Sequence, residues 1–227
     1  MSALTRLADG VWTATAPMRL IGMPLTSTMS VLRLDDGGLM LHSPIAMTDA
    51  LRAEVEALGP VAQLYAPNTF HHVSIGQWAA AFPDARLHAP AALAKKRPDL
   101  HIDRAHDMTR EPAFAGVLDE IHIDGFRLEE SALVHRPSRT LIVADLVHNI
   151  GTPPDGWTMI YASLMGFYGE VAISRMIRLA AFPDRRAARK SVDAVLEHEL
   201  DRVIVGHGAP LTTDAREQLR AAYAWLR

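Results

Sequence analysis

Three groups of polar side chains stand directly after short runs of β-prone, apolar residues. His71 and His72 follow the run at 61–66, Asp145 ends the run at 140–144, and His207 follows the run at 202–205. Residues at strand ends converge when the strands lie side by side. Neutral imidazoles and a carboxylate are donors that suit zinc, iron or manganese. His148, three residues beyond Asp145, is a further candidate ligand or proton carrier. Each residue alone has a plainer reading, because a single histidine at a strand end usually makes structural hydrogen bonds and an aspartate there caps a turn. The argument rests on the combination and its order. The other seven of the eleven histidines, His42, His88, His101, His106, His122, His135 and His198, are scattered singly and are expected at the surface or as hydrogen-bonded core residues.

Other chemistries are set aside by composition. The chain has no cysteine, which removes disulfides, thiol nucleophiles and thiolate metal sites together. Its net charge is −3, so no broad basic field invites nucleic acid or anionic lipid. The basic run Arg175, Arg178, Arg185, Arg186, Arg189 and Lys190 falls in helical sequence and reads as a solvated face. Residues 1–10 carry no apolar core of the signal-peptide kind, and no stretch is long enough to span a bilayer. A cytoplasmic chain of one domain, 1–227, acting on a small molecule is expected, with a homodimer as one possible assembly.

The elements that must position these residues alternate between strand and helix. Residues 10–15 and 28–34 are β-prone, Asp35-Asp36-Gly37-Gly38 is a tight-turn signal, and 39–42 is the returning strand. Thr48 reads as an N-cap for a helix with Leu51, Val55 and Leu58 on one face, stopped by Gly59-Pro60. A buried strand at 61–66, a turn at Pro67-Asn68, a helix at 74–82 and a strand at 86–88 outline a right-handed crossover. Residues 97–112 are expected as loop, and strands return at 121–123, 132–135 and 140–144. The last of these is a continuous apolar run of the buried-strand type.

A Pro/Gly loop is expected at 151–156, then an apolar stripe of Ile173, Ile177 and Ala180. Asp184 reads as the cap of a helix whose inner face is Ala188, Val192, Val195 and Leu196. A strand at 202–205 and a helix from near Thr213 close the chain. Met18, Met23, Trp157, Met159, Tyr161, Met165, Phe167 and Tyr168 read as the wall of a hydrophobic cleft borne partly on loops, with ordinary core or a subunit contact as the alternative. Strands feeding helices twice over suggest two sheets between helical layers.

This order and several local words resemble the metallo-β-lactamase-fold superfamily over nearly the whole chain. The resemblance is carried by the opening hairpin, by Ala66-Pro67-Asn68-Thr69-Phe70-His71-His72 at the place of the family's Thr-His-x-His-x-Asp-His, and by the helix that follows at 75–85. It continues in Ser138-Arg139-Thr140-Leu141-Ile142-Val143-Ala144-Asp145 and in Val203-Ile204-Val205-Gly206-His207-Gly208. More narrowly, Leu41-His42-Ser43-Pro44-Ile45 and the Asn-x-x-His-His pattern at 68–72 are similar to the bacterial DUF4336 family, which brings no assigned reaction. The fold so implied is an α/β (α+β) four-layer αββα sandwich, two mixed sheets flanked by helices.

The motif departs from the family's in ways that bear on chemistry. The family's first two histidines fall on Pro67 and Thr69, and proline has no ligand atom. The third histidine of the first metal site has no counterpart between Gly125 and Val134, where Glu129 and Glu130 lie nearby. The resemblance therefore implies that the first metal site is lost. It implies a second site of His71 in the aspartate's place, His72, Asp145 and His207, with Asp145 and His71 as the catalytic candidates.

Such a site would hold one divalent ion, zinc first and iron or manganese next, or none. Three readings follow: a mononuclear hydrolase of an ester, lactone or thioester; an inactive relative with a binding or regulatory role; and an iron redox protein.

Overall fold

A computed structural model of the chain describes residues 3–151 and 155–226. Turn chemistry and alternation build the first sheet. β1 (Thr5–Ala8), β2 (Val11–Leu20), β3 (Met23–Arg33) and β4 (Leu39–His42) pair antiparallel in succession. The β3–β4 turn closes as its sequence predicts, with Gly37 at φ 82° and Asp36 accepting from the Gly38 N–H at 2.8 Å. Helices then carry the chain between parallel strands: α1 (Asp49–Leu58) to β5 (Val61–Tyr65), α2 (Ile75–Ala81) to β6 (Arg86–Ala89), and α3 (Leu93–Lys96) to β7 (Arg104–Ala105). Thr48 caps α1 by accepting from the Leu51 N–H. The seven strands lie in sequence order.

The second sheet has the order β11-β10-β9-β8, formed by β8 (Leu118–His122), β9 (Ser131–His135), β10 (Thr140–Ile142) and β11 (Arg202–Ile204). Its one parallel pair, β10 with β11, is joined through α4 (Gly156–Met165), α5 (Arg175–Ala180) and α6 (Arg185–Glu197), and α7 (Ala215–Ala222) follows. Leu51, Val55, Ile75 and Trp78 pack α1 and α2 on the outer face of the first sheet. Val192, Val195, Leu219 and Ala222 pack α6 and α7 on the outer face of the second. Leu32, Met40, Leu133, Ile142 and Ile204 meet between the sheets. The layers are thus helix, sheet, sheet, helix, as the sequence implies.

The layer between the sheets also holds a polar seam. Strand register places His42, Tyr65, His88 and Arg104 in one row across β4 to β7. Arg104 donates to His88 Nδ1 at 2.8 Å and to both carboxylate oxygens of Glu120 on β8, at 2.8 and 2.5 Å. The Tyr65 hydroxyl donates to the same carboxylate at 2.7 Å. A buried ion pair is tolerable when its partners are this fully hydrogen-bonded.

Two expectations need correction. Residues 157–165, read partly as loop, belong to α4, which Asp155 caps and Gly166 ends in the left-handed region. The helix was hard to see because Trp157, Ile160 and Leu164 lie exposed, so the polar face that marks an amphipathic helix is missing. The strand expected at 121–123 runs instead over Leu118–His122. Of the Pro/Gly loop expected at 151–156, residues 152–154 lie outside the described residues. Among the described residues no helix is long and apolar enough to cross a membrane.

Candidate metal centre

His71 is placed by the turn after β5. Asn68 shapes that turn, its Oδ1 accepting from the N–H groups of Phe70 and His71, both at 2.8 Å. The His71 Nδ1 lies 2.8 Å from the hydroxyl of Ser43, a non-glycine residue held at φ 52° just after β4. Its other nitrogen, Nε2, faces Asp145 Oδ1 at 3.5 Å.

Asp145 follows β10 in a turn bound by a buried carboxylate. Glu130 accepts from the N–H groups of Ala144 and Asp145 at 2.8 Å each, and from that of Leu146 at 3.3 Å. Asn68 Nδ2 bridges the two acids, 2.8 Å from Glu130 and 2.9 Å from Asp145 Oδ2. Burial, then the neighbouring Asp145 charge, push the Glu130 carboxyl up to about 6 against its hydrogen bonds.

His207 follows β11, and its Nδ1 lies 2.8 Å from the Thr26 carbonyl oxygen. A carbonyl only accepts, so Nδ1 carries the proton and the neutral ring's lone pair sits on Nε2. That atom is 3.5 Å from Asp145 Oδ1. Gly206 makes this approach possible, because a Cβ there would lie 2.6 Å from the Ala144 carbonyl oxygen and 2.8 Å from His71 Cε1.

His71, Asp145 and His207 therefore each present one donor atom, all within 4.8 Å of one another. Donors about 2.0 Å from a tetrahedral ion stand roughly 3.3 Å apart, close to the two separations at Asp145. The donor set fits a divalent ion. Burial alone would raise the Asp145 carboxyl, but the imidazoles of His71 and His207 hold it well below the usual range. Burial lowers His71, yet the Asp145 charge outweighs this and raises it overall.

The expected four donors do not meet as a set. His72 lies outside the group: its Nδ1 is 3.2 Å from Arg97 Nη1, and Arg97 also donates to the His72 carbonyl. Burial, then Lys96 and Arg97, depress its pKa. His148 is buried with its ring centre 5.5 Å from that of His207, also outside the group, and its Nδ1 has no hydrogen-bond partner among the described residues. Asn68, Ser43 and Thr26, which orient the donors, carry no motif of their own in the sequence. Glu130 stood near the place of a missing histidine, and it is a support rather than one of the three donors.

A cleft of about 390 Å³ opens onto the three donors. Met18, Leu20, Pro44, Ile45, Phe70 and Val73 contribute its apolar wall. Of the residues expected to form such a wall, only Met18 lines it. Met23 and Phe167 are buried in the cluster between α4 and β3, with Tyr161 and Met165 packed against it.

Two mixed sheets between helical layers, with imidazoles and a carboxylate gathered after their strands, define a metallo-β-lactamase fold. Solved structures agree along nearly the full chain. A metallo-β-lactamase from Pontibacter korlensis matches with a TM-score of 0.64 at 12% identity, covering 96% of this chain and 97% of that one. One from Erythrobacter litoralis, with β-mercaptoethanol in its active site, gives 0.65 at 15%, covering 96% and 94%. FIM-1 from Pseudomonas aeruginosa, in a mono-zinc form, gives 0.66 at 14%, covering 98% and 93%. More particularly, residues 8–92 match the model of DUF4336, a domain of unknown function. The chain has the metallo-β-lactamase fold, and the match to DUF4336 covers its first sheet up to the start of α3. No curated protein matches it in sequence.

Proposed function

We propose that the protein is a metal-dependent hydrolase of a small ester, lactone or thioester, using one divalent ion held by His71, Asp145 and His207. The observation that carries this reading is the convergence of three donor atoms within 4.8 Å at a cleft. Zinc suits two imidazoles and a carboxylate best, with iron or manganese as the other fits. When bound, the ion supplies Lewis acidity to the substrate carbonyl.

The chain's own residues supply the rest. Thr26 and Ser43 orient the two imidazoles, and Asn68 and Glu130 fix the carboxylate. Hydrolysis joins the oxygen of one water to the acyl carbon, breaks the bond to the leaving alcohol or thiol, and moves a water proton to that leaving group. Any water attacking from the cleft lies beside His71 and Asp145: with His71 holding the ion through Nε2 and engaged with Ser43 through Nδ1, the Asp145 carboxylate is the candidate for handling that proton, and His71 takes that role only where it is not a ligand.

A second reading, a metal-free binding protein on the same fold, draws on one observation. Asp145 already has partners on both oxygens, Asn68 on one and the two imidazoles on the other. Elemental analysis of the purified protein separates the two. About one zinc, iron or manganese per chain, lost in His207→Ala and Asp145→Asn, is expected. No metal after incubation with salts of all three would overturn the hydrolase and leave the binding protein.

A further inference from the structure

The wall of the cleft bears on what enters it, and this step rests on the hydrolase reading above. Ala16, Met18 and Leu20 alternate along β2 and line the cleft, with Pro17 between the first two also reaching it. Arg19, between the last two, is absent from the lining, and its Nη1 lies 3.4 Å from the Gly22 carbonyl oxygen. Across the cleft stand Ile45, Phe70 and Val73. Leu20, Phe70 and Val73 are 47%, 58% and 80% exposed, so their apolar surface is open to a ligand.

The only charged or titratable groups among the described lining residues are His71, Asp145 and His207. No lysine or arginine is among the described lining residues. Lys96 touches the Phe70 ring but donates its ammonium to the Thr69 carbonyl at 2.7 Å, and it is not part of the wall. The remaining polar lining is Ser27, Ser43 and Ser74, and Ser43 is engaged with His71. Away from the divalent ion at the three donors, a carboxylate or phosphate on the substrate would find no counter-charge among the described residues of this wall.

We infer that the substrate is a neutral acyl compound whose acyl portion is apolar and short, with no carboxylate or phosphate on it. The carbonyl lies at the three donors and the chain lies along Met18, Leu20, Phe70 and Val73. A cleft of about 390 Å³ sits at the small end of ligand pockets, which suits a short chain.

The experiment compares two p-nitrophenyl esters on the full-length, zinc-supplemented protein: the hexanoate, which is neutral, and the hemiglutarate, which carries a free carboxylate at similar length. We expect kcat/KM to favour the hexanoate by at least about 10-fold, a difference of about 1.4 kcal/mol. Ala46→Lys, an exposed lining position, should narrow that ratio by adding the missing cation. Equal rates, or a preference for the hemiglutarate, would overturn the substrate class while leaving the hydrolase standing. If neither ester is cleaved, the ester form of the hydrolase reading fails, and a neutral naphthyl ketone fluorophore then decides the cleft. Its emission should rise with the unmutated protein and fall back in Leu20→Ser/Phe70→Ser. No rise, or a rise unchanged by the double variant, would sink the inference.

Discussion

Asn68 donates to Asp145 Oδ2 across 2.9 Å, from a side chain that also donates to Glu130 and accepts two backbone N–H groups. One amide therefore ties the His71 turn to the carboxylate that His71 must meet. It also stands between two buried acids, Glu130 and Asp145, that would otherwise repel. We predict that Asn68→Ala weakens metal binding by about 10- to 100-fold, the usual effect of removing an orienting partner. Competition against a chromophoric chelator measures this. An affinity within twofold of the unmutated protein would show that the amide is not needed to assemble the site.

His72 provides the contrast. It matches the family motif in sequence, yet its Nδ1 faces Arg97. His72→Ala is predicted to keep about one metal per chain, while His207→Ala loses it. The readout is metal content after gel filtration. Loss of metal from His72→Ala in a chain that keeps its circular dichroism would restore His72 as a ligand.

Much of the fold was open to reading, and the reasons are local. The 35–38 turn, the Thr48 and Asp184 caps and the apolar run at 140–144 each carry their own chemistry in a few residues. The helix α4 was missed because its exposed face is as apolar as its buried one. Of the site, strand ends pointed to His71, Asp145 and His207, which the structure brings together. His72 falls outside that group because adjacent residues in one turn point different ways, and a motif fixes spacing, not direction. The role of Asn68 depends on contacts 62 and 77 residues away, and that of Glu130 on contacts 14 to 16 residues away, which no local pattern contains.

Gly206 lies where β11 gives way to His207, with no room for a side chain. A Cβ would press on the Ala144 carbonyl, which is backbone and cannot swing aside, and on His71. We predict that Gly206→Ala lowers stability by about 1–3 kcal/mol, the usual cost of overpacking. It should also cost metal affinity, because either His71 or the β10–β11 pairing must move. Urea denaturation and the chelator titration report the two effects separately. A variant unchanged in both would mean the two strands separate freely at this point.

The polar seam between the sheets makes stability depend on pH in a direction that can be worked out. His88 accepts from Arg104 at Nδ1 and faces Gln63 Oε1 with Nε2, an arrangement only a neutral ring satisfies beside an arginine. His106 lies against Ser131 and the Ala66 carbonyl, and His42 stacks on Tyr65. Burial, with nearby cations and other histidines, pulls His42, His88 and His106 down to about 3 from an unfolded value of 6.5. Above pH 6.5 both states are neutral at these rings and the seam is fully stabilising. Below it the unfolded chain takes up protons that the folded chain refuses, so stability falls until the pH nears 3. His71 and Glu130, whose values are raised, oppose this trend, but they are outnumbered, since His72, His135 and His148 are also lowered. The urea midpoint should therefore drop between pH 7.5 and 5, at up to about 1.4 kcal/mol per pH unit for each refused proton. His106→Gln, which keeps a donor and an acceptor, should make the slope shallower by about one proton. A midpoint that holds or rises on acidification would mean that these rings take up their protons inside the folded protein.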